Sequence, residues 1–163
     1  MAQNNAEVIG HLNDLIETCK DGEKGFRAAA IRVGEDDEPQ LRTVLNLYAQ
    51  QRAGFVAELQ NEILHRGGEP VESGHVSATF RRGWLEVVSA LKVGPDYAGD
   101  GDYESDILAT CEAGEKAAME NYEDILKKML PSDLLSIVDN QYREIRQARE
   151  RLHSLSKAYK PAA

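Results

Sequence analysis

The chain has 163 residues, of which 42% are hydrophobic, 6% aromatic and 29% charged, and its formal net charge is −9. This length fits one domain over residues 1–163 that buries a substantial core, and the hydrophobic share excludes a disordered chain. Lys and Arg are interleaved with acids along every segment. The acidic balance therefore argues against nucleic acid as a partner.

The sequence shows no signal for a membrane or for secretion. No apolar run approaches the roughly 18 residues that a transmembrane helix needs, so we expect no membrane partner. The first ten residues lack a basic region followed by an apolar block, and we expect no signal peptide. Two cysteines, Cys19 and Cys111, are too few for a disulfide framework. We therefore expect a protein of the reducing cytoplasm.

The first half of the chain predicts a helical hairpin. Apolar residues at helical spacing, from Leu12 to Val33, predict a helix over residues 6–33. Pro39 is tolerated in the first turn of a helix and opens a second one over 39–66. The stretch Arg-Gly-Gly-Glu-Pro then ends it. Two long helices of similar length, joined by a short loop, are expected to pack antiparallel.

The second half predicts another hairpin, preceded by a shorter helix. The segment HVSATFRRGWLEVVSALKV predicts an amphipathic helix over 76–93, and an acidic loop over 96–102 follows it. Two more long helices are expected over 103–129 and 132–158, the second opened by Pro131. The predicted fold is all-α: an antiparallel four-helix bundle with an extra crossover helix between the hairpins. A single long crossover is the arrangement of ferritin-like folds.

The motif Thr-Cys-x-x-Gly-Glu-Lys occurs twice, starting at Thr18 and at Thr110. Residues 14–24 and 106–116 share six identities in eleven positions. The same offset aligns Pro39 with Pro131 and Glu58 with Glu150. The chain is therefore predicted to be an internal duplication of a helical hairpin, with a pseudo-two-fold axis through the bundle.

The acid of the repeated motif is its most informative residue. On both helices this residue, Glu23 or Glu115, is predicted to fall on the apolar stripe and not on the solvent-facing side. A carboxylate that faces the core is costly unless it is paired with a cation or bound to a metal. Glu23 and Glu115 are therefore the leading candidates for a functional site.

Several longer stretches carry a resemblance to known proteins. They are LNDLIETCKDGEKGF, QRAGFVAEL, RRGWLEVVSAL, CEAGEKAAMENYEDIL and QYREIRQARERL. With these stretches the chain resembles the ferritin-like superfamily over nearly its whole length. More closely, it resembles a bacterial family of ferritin-like four-helix proteins grouped as a domain of unknown function. The resemblance implies the fold more directly than it implies an activity.

The resemblance also implies a ligand set. Di-iron members of the superfamily use a lone Glu on two helices and Glu-x-x-His on the other two. Glu23 and Glu115 match the lone-Glu positions, and the remaining candidate ligands are Glu58, Glu62, His65, Glu150 and His153. Such a site implies a carboxylate-bridged iron or manganese protein with redox or metal-storage activity.

Counting along the hairpins places other groups opposite the two acids. Glu23 is expected to face Tyr48, Gln51 and Arg52, whereas Glu115 is expected to face Gln141 and Arg149. The candidate metal ligands lie farther along their helices. Two interpretations therefore remain, a metal site or a buried polar network, and the Arg and Gln residues favour the network.

The two interpretations predict different proteins. A polar network predicts a non-catalytic bundle without a cofactor that forms a homo-oligomer, which we expect to be a dimer. A metal site predicts bound iron or manganese held through Glu23 and Glu115.

Overall fold

The computed structural model describes residues 4–33, 39–72 and 103–159. Within these ranges all regular secondary structure is α-helical and no strand occurs. The four helices are α1 (Asn5–Val33), α2 (Pro39–His65), α3 (Tyr103–Leu126) and α4 (Ser132–Tyr159). They begin and end close to the positions expected from the apolar spacing and the prolines. The helix expected over 76–93 and the acidic loop over 96–102 lie outside the described residues.

Local signals in the sequence fix the helix ends. The Asn4 side chain accepts a hydrogen bond from the backbone N–H of Glu7 at 2.9 Å, which caps the start of α1. Gly67, with a φ of 75°, follows α2 in the left-handed conformation that favours glycine. The backbone N–H of Gly68 then bonds to the carbonyl of Ile63 at 3.0 Å. This is the Schellman arrangement, which satisfies carbonyl groups at the end of a helix.

The helices pair as two hairpins, α1 with α2 and α3 with α4, and α1 also packs on α3. Helices α1 and α3 run in opposite directions. Asn121, late in α3, donates a hydrogen bond to Thr18 in the first half of α1. Ile107, early in α3, instead lies in one apolar cluster with Val33 at the end of α1.

Helices α2 and α4 also run in opposite directions. Gln141 of α4 donates a hydrogen bond to Glu58 at 2.7 Å, and Asp133 at the start of α4 pairs with Arg66 just after α2 at 3.0 Å. The end of α2 lies beside the start of α1, because Asn5 donates a hydrogen bond to the carbonyl of Arg66. The fold of the described residues is therefore a four-helix bundle in which α1 and α4 run one way and α2 and α3 the other.

The apolar core forms two clusters along the bundle. The first lies toward the start of α1 and includes Leu12, Leu15, Ile16, Leu59, Ile63, Ile125, Leu134 and Ile145. The second lies toward the end of α1 and includes Phe26, Val33, Leu41, Leu45, Ile107, Leu108 and Leu152. Buried polar side chains lie between the two clusters. In the described part of the chain, none of the helices combines the length and apolar character needed to cross a bilayer.

Candidate functional site

A buried ion pair lies at the centre of the bundle. Nη1 of Arg52 donates to Oε1 of Glu115 at 2.6 Å, and Nη2 donates to Oε2 at 2.5 Å. The side chains of Arg52 and Glu115 are 1% and 0% exposed. Two parallel hydrogen bonds between a guanidinium and a carboxylate form the strongest geometry available to this pair.

Arg52 reaches Glu115 by crossing the core from α2 to α3. It passes over Gly22 of α1, where an added Cβ atom would lie 3.4 Å from Cγ of Arg52. The stem of Arg52 therefore packs directly over this glycine, at ordinary van der Waals distance from where a Cβ atom would lie. The guanidinium carbon lies 5.5 Å from the ring centre of Phe26 and 5.7 Å from that of Phe55. Both distances fit cation–π contacts, so the charge lies between aromatic rings and a carboxylate.

Burial acts on the protonation of both partners. It raises the pKa of Glu115 above its usual range, while the charge and hydrogen bonds of Arg52 oppose this rise. Burial alone would lower the pKa of Arg52, but Glu115 outweighs it, so the pKa of the guanidinium is raised. The two short N–O contacts fit an ionised pair at neutral pH. Each partner depends on the other, because an isolated buried charge is very costly.

Beside the ion pair, a series of side-chain hydrogen bonds links the core to the surface. The sulfur of Cys19 lies 3.0 Å from the hydroxyl oxygen of Tyr122. Tyr122 donates to Oε1 of Gln141 at 2.8 Å, and Gln141 donates through Nε2 to Glu58 at 2.7 Å. Since the tyrosine hydroxyl has only one proton and gives it to Gln141, the thiol of Cys19 must be the donor to Tyr122. This series of hydrogen bonds therefore ends at the exposed carboxylate of Glu58.

The thiols in this region are held in their protonated form. Burial raises the pKa of Cys19 to about 11, and it raises the pKa of Tyr122 well above its ordinary value. Burial also raises the pKa of Cys111, which lies one helical turn before Glu115. A thiolate is the nucleophilic form of cysteine, so neither buried thiol is prepared for nucleophilic chemistry.

Glu23 does not share the environment expected for it. Its side chain is 25% exposed and binds Arg27, one turn later on α1, at 2.6 Å. In this part of α1 the side facing the core is formed by Gly22 and Phe26, both buried. Glu23 therefore lies at the edge of the apolar stripe, whereas Glu115 lies on it.

The opposing helices explain why the two acids differ. Compared by burial, α4 follows α2 at an offset one residue longer than the offset that relates Glu23 to Glu115: Leu41, Leu45, Arg52, Leu59 and Ile63 in α2 match Leu134, Val138, Ile145, Leu152 and Ser156 in α4. Arg52 thus corresponds to Ile145. Glu115 can pair with the buried cation Arg52. The matching residue of the other hairpin, Ile145, is apolar, so Glu23 pairs with Arg27 near the surface.

The other residues expected in the polar network have separate places. Gln51 accepts a hydrogen bond from Arg52 at 3.2 Å, and fully buried Gln141 belongs to the Cys19–Tyr122 chain. Tyr48 is half-buried, with its ring centre 5.4 Å from that of Phe26. Arg149 is 34% exposed and lies 3.9 Å from Glu112. Arg149 therefore does not neutralise Glu115, which takes its cation from α2.

The candidate metal ligands are dispersed. Glu58 binds Gln141, and His153 lies 3.0 Å from Glu112 on the neighbouring helix. Glu62 is half-buried, and His65 and Glu150 are exposed. Among the residues that the structure describes, no group of three His, Cys, Asp or Glu side chains is arranged to hold a metal ion.

Two features of the site were not anticipated from the sequence. The first is the Cys19–Tyr122 contact, although a tyrosine on an apolar stripe signals that its hydroxyl needs a buried partner. The second is that Arg52 reaches across the bundle to α3. Counting within one hairpin compares only neighbouring helices and cannot detect a contact between diagonal ones.

Comparison with known families gives one result for this region. A family model described as a domain of unknown function, DUF2383, matches residues 7–128. The match includes nearly all of α1 and the whole of α2 and α3, and thus both Arg52 and Glu115. Among curated proteins, none matches the chain. Since the matched residues make up more than half of its length, the chain belongs to the DUF2383 family.

Proposed function

We propose that this chain is a non-catalytic, self-associating helical-bundle protein in which the Arg52–Glu115 pair stands where a metal-binding relative would place a ligand. The observation that carries the proposal is the bidentate contact between the two side chains, at 2.6 and 2.5 Å, inside a fully buried layer. In this function the pair fixes the relative positions of α2 and α3.

The chemistry of the pair disfavours a cation at the same place. Both carboxylate oxygens of Glu115 already accept short hydrogen bonds from Arg52, and the guanidinium charge would repel a metal ion at close range. A buried ion pair adds little net stability over apolar side chains of the same volume, but an arrangement that separates its partners leaves a buried charge uncompensated and is disfavoured. We therefore assign Arg52 and Glu115 a role in specifying the bundle.

The helix directions support a ferritin-like architecture. Helices α2 and α3 run the same way, as the second and third helices do in folds with a single crossover. A duplication is supported by the core, where residues equivalent in the repeat lie in opposite clusters. Ile16 and Cys19 are in the first cluster, whereas their equivalents Leu108 and Cys111 are in the second. Conversely, Val33 is in the second cluster and its equivalent Ile125 is in the first.

The state of the cysteines supports a reducing compartment. Cys19 and Cys111 are both buried and unpaired with each other. Buried thiols held by a hydrogen bond and by apolar packing need no oxidising environment. We infer a cytoplasmic protein on this basis.

Exposed apolar side chains support self-association. Ile31 is 72% exposed, Leu64 59% and Leu47 55%. Single exposed apolar side chains are common in monomers, but a second molecule that covers these three would remove their apolar surface from water. A homodimer is the simplest closed assembly that does so.

The competing function is a carboxylate-bridged iron or manganese protein that uses Glu23 and Glu115. Measuring the metal content of protein purified from iron- and manganese-supplemented medium separates the two. We expect far less than one metal ion per chain, with no change in Glu23→Gln or Glu115→Gln. One or two ions per chain in the unmodified protein, lost in both variants, would overturn the proposal.

A further inference from the structure

The side of α2 that faces away from the core carries a stripe of uncharged residues. Six exposed positions recur at spacings of three and four residues, which places them on one face of the helix. They form the outer α2 stripe: Leu47, Gln50, Gly54, Ala57, Asn61 and Leu64. In a chain with 29% charged residues, an exposed helix face of this length without a charge is unexpected.

Gly54, in the middle of the stripe, has no role within the described fold. An added Cβ atom at Gly54 would meet nothing within 4 Å, and among the described residues only Gly67 has a positive φ. Glycine disfavours a helix relative to alanine, so its presence there calls for another reason. Small residues on an exposed helix face allow a second helix to approach closely.

The order of residue types along the outer α2 stripe is also nearly the same in both directions. Reversing α2 about the midpoint between Gly54 and Ala57 superimposes residues of the same chemistry. Leu47 then lies opposite Leu64 of the partner subunit, and Gln50 lies opposite Asn61 of the partner subunit. The two small residues face each other in the same way. This is the requirement for an isologous two-fold contact, in which the same patch serves both molecules.

Charge is compatible with this pairing. The nearest acid on the flank of the stripe is Glu58, which the same reversal places opposite Ala53 of the partner subunit. No like charges are brought together, although each chain carries a net charge of −9. The two leucines at the ends, 55% and 59% exposed, would each be covered by its counterpart.

We infer that the outer α2 stripe binds a second copy of this chain, with the two α2 helices antiparallel. The inference rests on the self-association proposed above and names its surface. The contact would extend about 26 Å along each helix, with the helix axes about 8–10 Å apart. One helix pair buries an area at the low end of specific interfaces, so the dimer dissociates upon dilution into the micromolar range.

Disulfide formation between single-cysteine variants tests the register. Leu47→Cys mixed with Leu64→Cys is expected to form a cross-linked dimer under mild oxidation, because the two positions face each other. Leu47→Cys alone provides the matched control, since its two copies would be separated by about 26 Å along the helices. Native Cys19 and Cys111 are buried and do not compete. Equal cross-linking of Leu47→Cys with itself would overturn the antiparallel register.

Sedimentation velocity across a concentration series tests the outer α2 stripe and self-association as two separate claims. We expect Gly54→Arg to raise the dimer dissociation constant at least about tenfold, whereas Asn140→Arg, on the exposed side of α4, leaves it unchanged. Circular dichroism should show Gly54→Arg fully helical, because arginine favours a helix more than glycine does. A dimer unaffected by Gly54→Arg would overturn the α2 surface and leave self-association standing. A monomer at every concentration would overturn both.

Discussion

The guanidinium of Arg52 on α2 and the carboxylate of Glu115 on α3 face each other across the centre of the bundle, joined by contacts of 2.6 and 2.5 Å. The two helices belong to different hairpins, so the pair ties one hairpin to the other. Because both groups are almost completely inaccessible to solvent, neither can turn to water if its partner is removed.

Removing the charge of Glu115 should strongly destabilise the fold. In Glu115→Gln, the guanidinium of Arg52 remains buried without a counter-charge. We expect a loss of roughly 3–5 kcal/mol in the free energy of unfolding, measured by urea denaturation at neutral pH.

Glu23→Gln is the matched control, because Glu23 occupies the equivalent position of the repeat. Glu23 is partly exposed and pairs with Arg27 along the same helix. Exposed pairs of this kind contribute little, so we expect a change within about 0.5 kcal/mol. Equal effects of the two substitutions would contradict the different environments of these acids.

The hydroxyl of Tyr122 should contribute more than that of Tyr142. Tyr122→Phe leaves Oε1 of Gln141 and the Cys19 thiol without a hydrogen-bond partner, which should cost about 1–3 kcal/mol. Tyr142 donates to Glu123 at 2.7 Å, but Tyr142 is only partly buried, so water can replace its hydroxyl. Tyr142→Phe should therefore change the free energy of unfolding by less than about 1 kcal/mol. The opposite order would argue against the Cys19–Tyr122–Gln141 chain.

Stability should fall at alkaline pH. Burial raises the pKa of Cys19 from 9.0 to about 11, so the unfolded thiol loses its proton at a lower pH than the folded one. The stabilising contribution is complete below pH 9.0 and is lost as the pH rises to about 11, and the loss amounts to about 3 kcal/mol. The pKa of Cys111 is raised in the same direction by burial.

Cys111→Ala tests this pH dependence by comparing slopes instead of absolute stabilities. We expect the fall in the free energy of unfolding near pH 10 to become shallower by as much as about 1.4 kcal/mol per pH unit. The native protein should also leave both thiols unreactive toward a disulfide reagent until it unfolds. An unchanged slope, or rapid reaction of the native thiols, would contradict the burial of these groups.

Much of the fold could be predicted from the sequence, since the signals for it are local. Pro39 and Pro131 mark helix starts, and Gly67 and Gly68 mark a helix end, because backbone conformation is decided by neighbouring residues. Apolar spacing likewise identified which side of each long helix is buried. These signals do not depend on which helices become neighbours.

The central pair could be predicted only in part. Glu115 and Arg52 were both expected to be buried and polar, but pairing them requires knowing that α2 and α3 lie diagonally across the core. Glu23 shows the limit of the repeat as evidence. Identical residues in the two occurrences of the motif share an environment only if their partners are also alike, and here α4 has Ile145 at the buried position where α2 has Arg52.

The most direct test of the central claim is a double-mutant cycle with Arg52→Met, Glu115→Leu and the combined variant, followed by urea denaturation at neutral pH. Each single change leaves one buried charge unpaired, whereas the double change replaces the pair by apolar side chains. We expect both single variants to be strongly destabilised and the double variant to recover most of the loss, with a coupling energy of at least about 2 kcal/mol. Additive effects of the two substitutions would contradict the account of Arg52 and Glu115 as one buried unit.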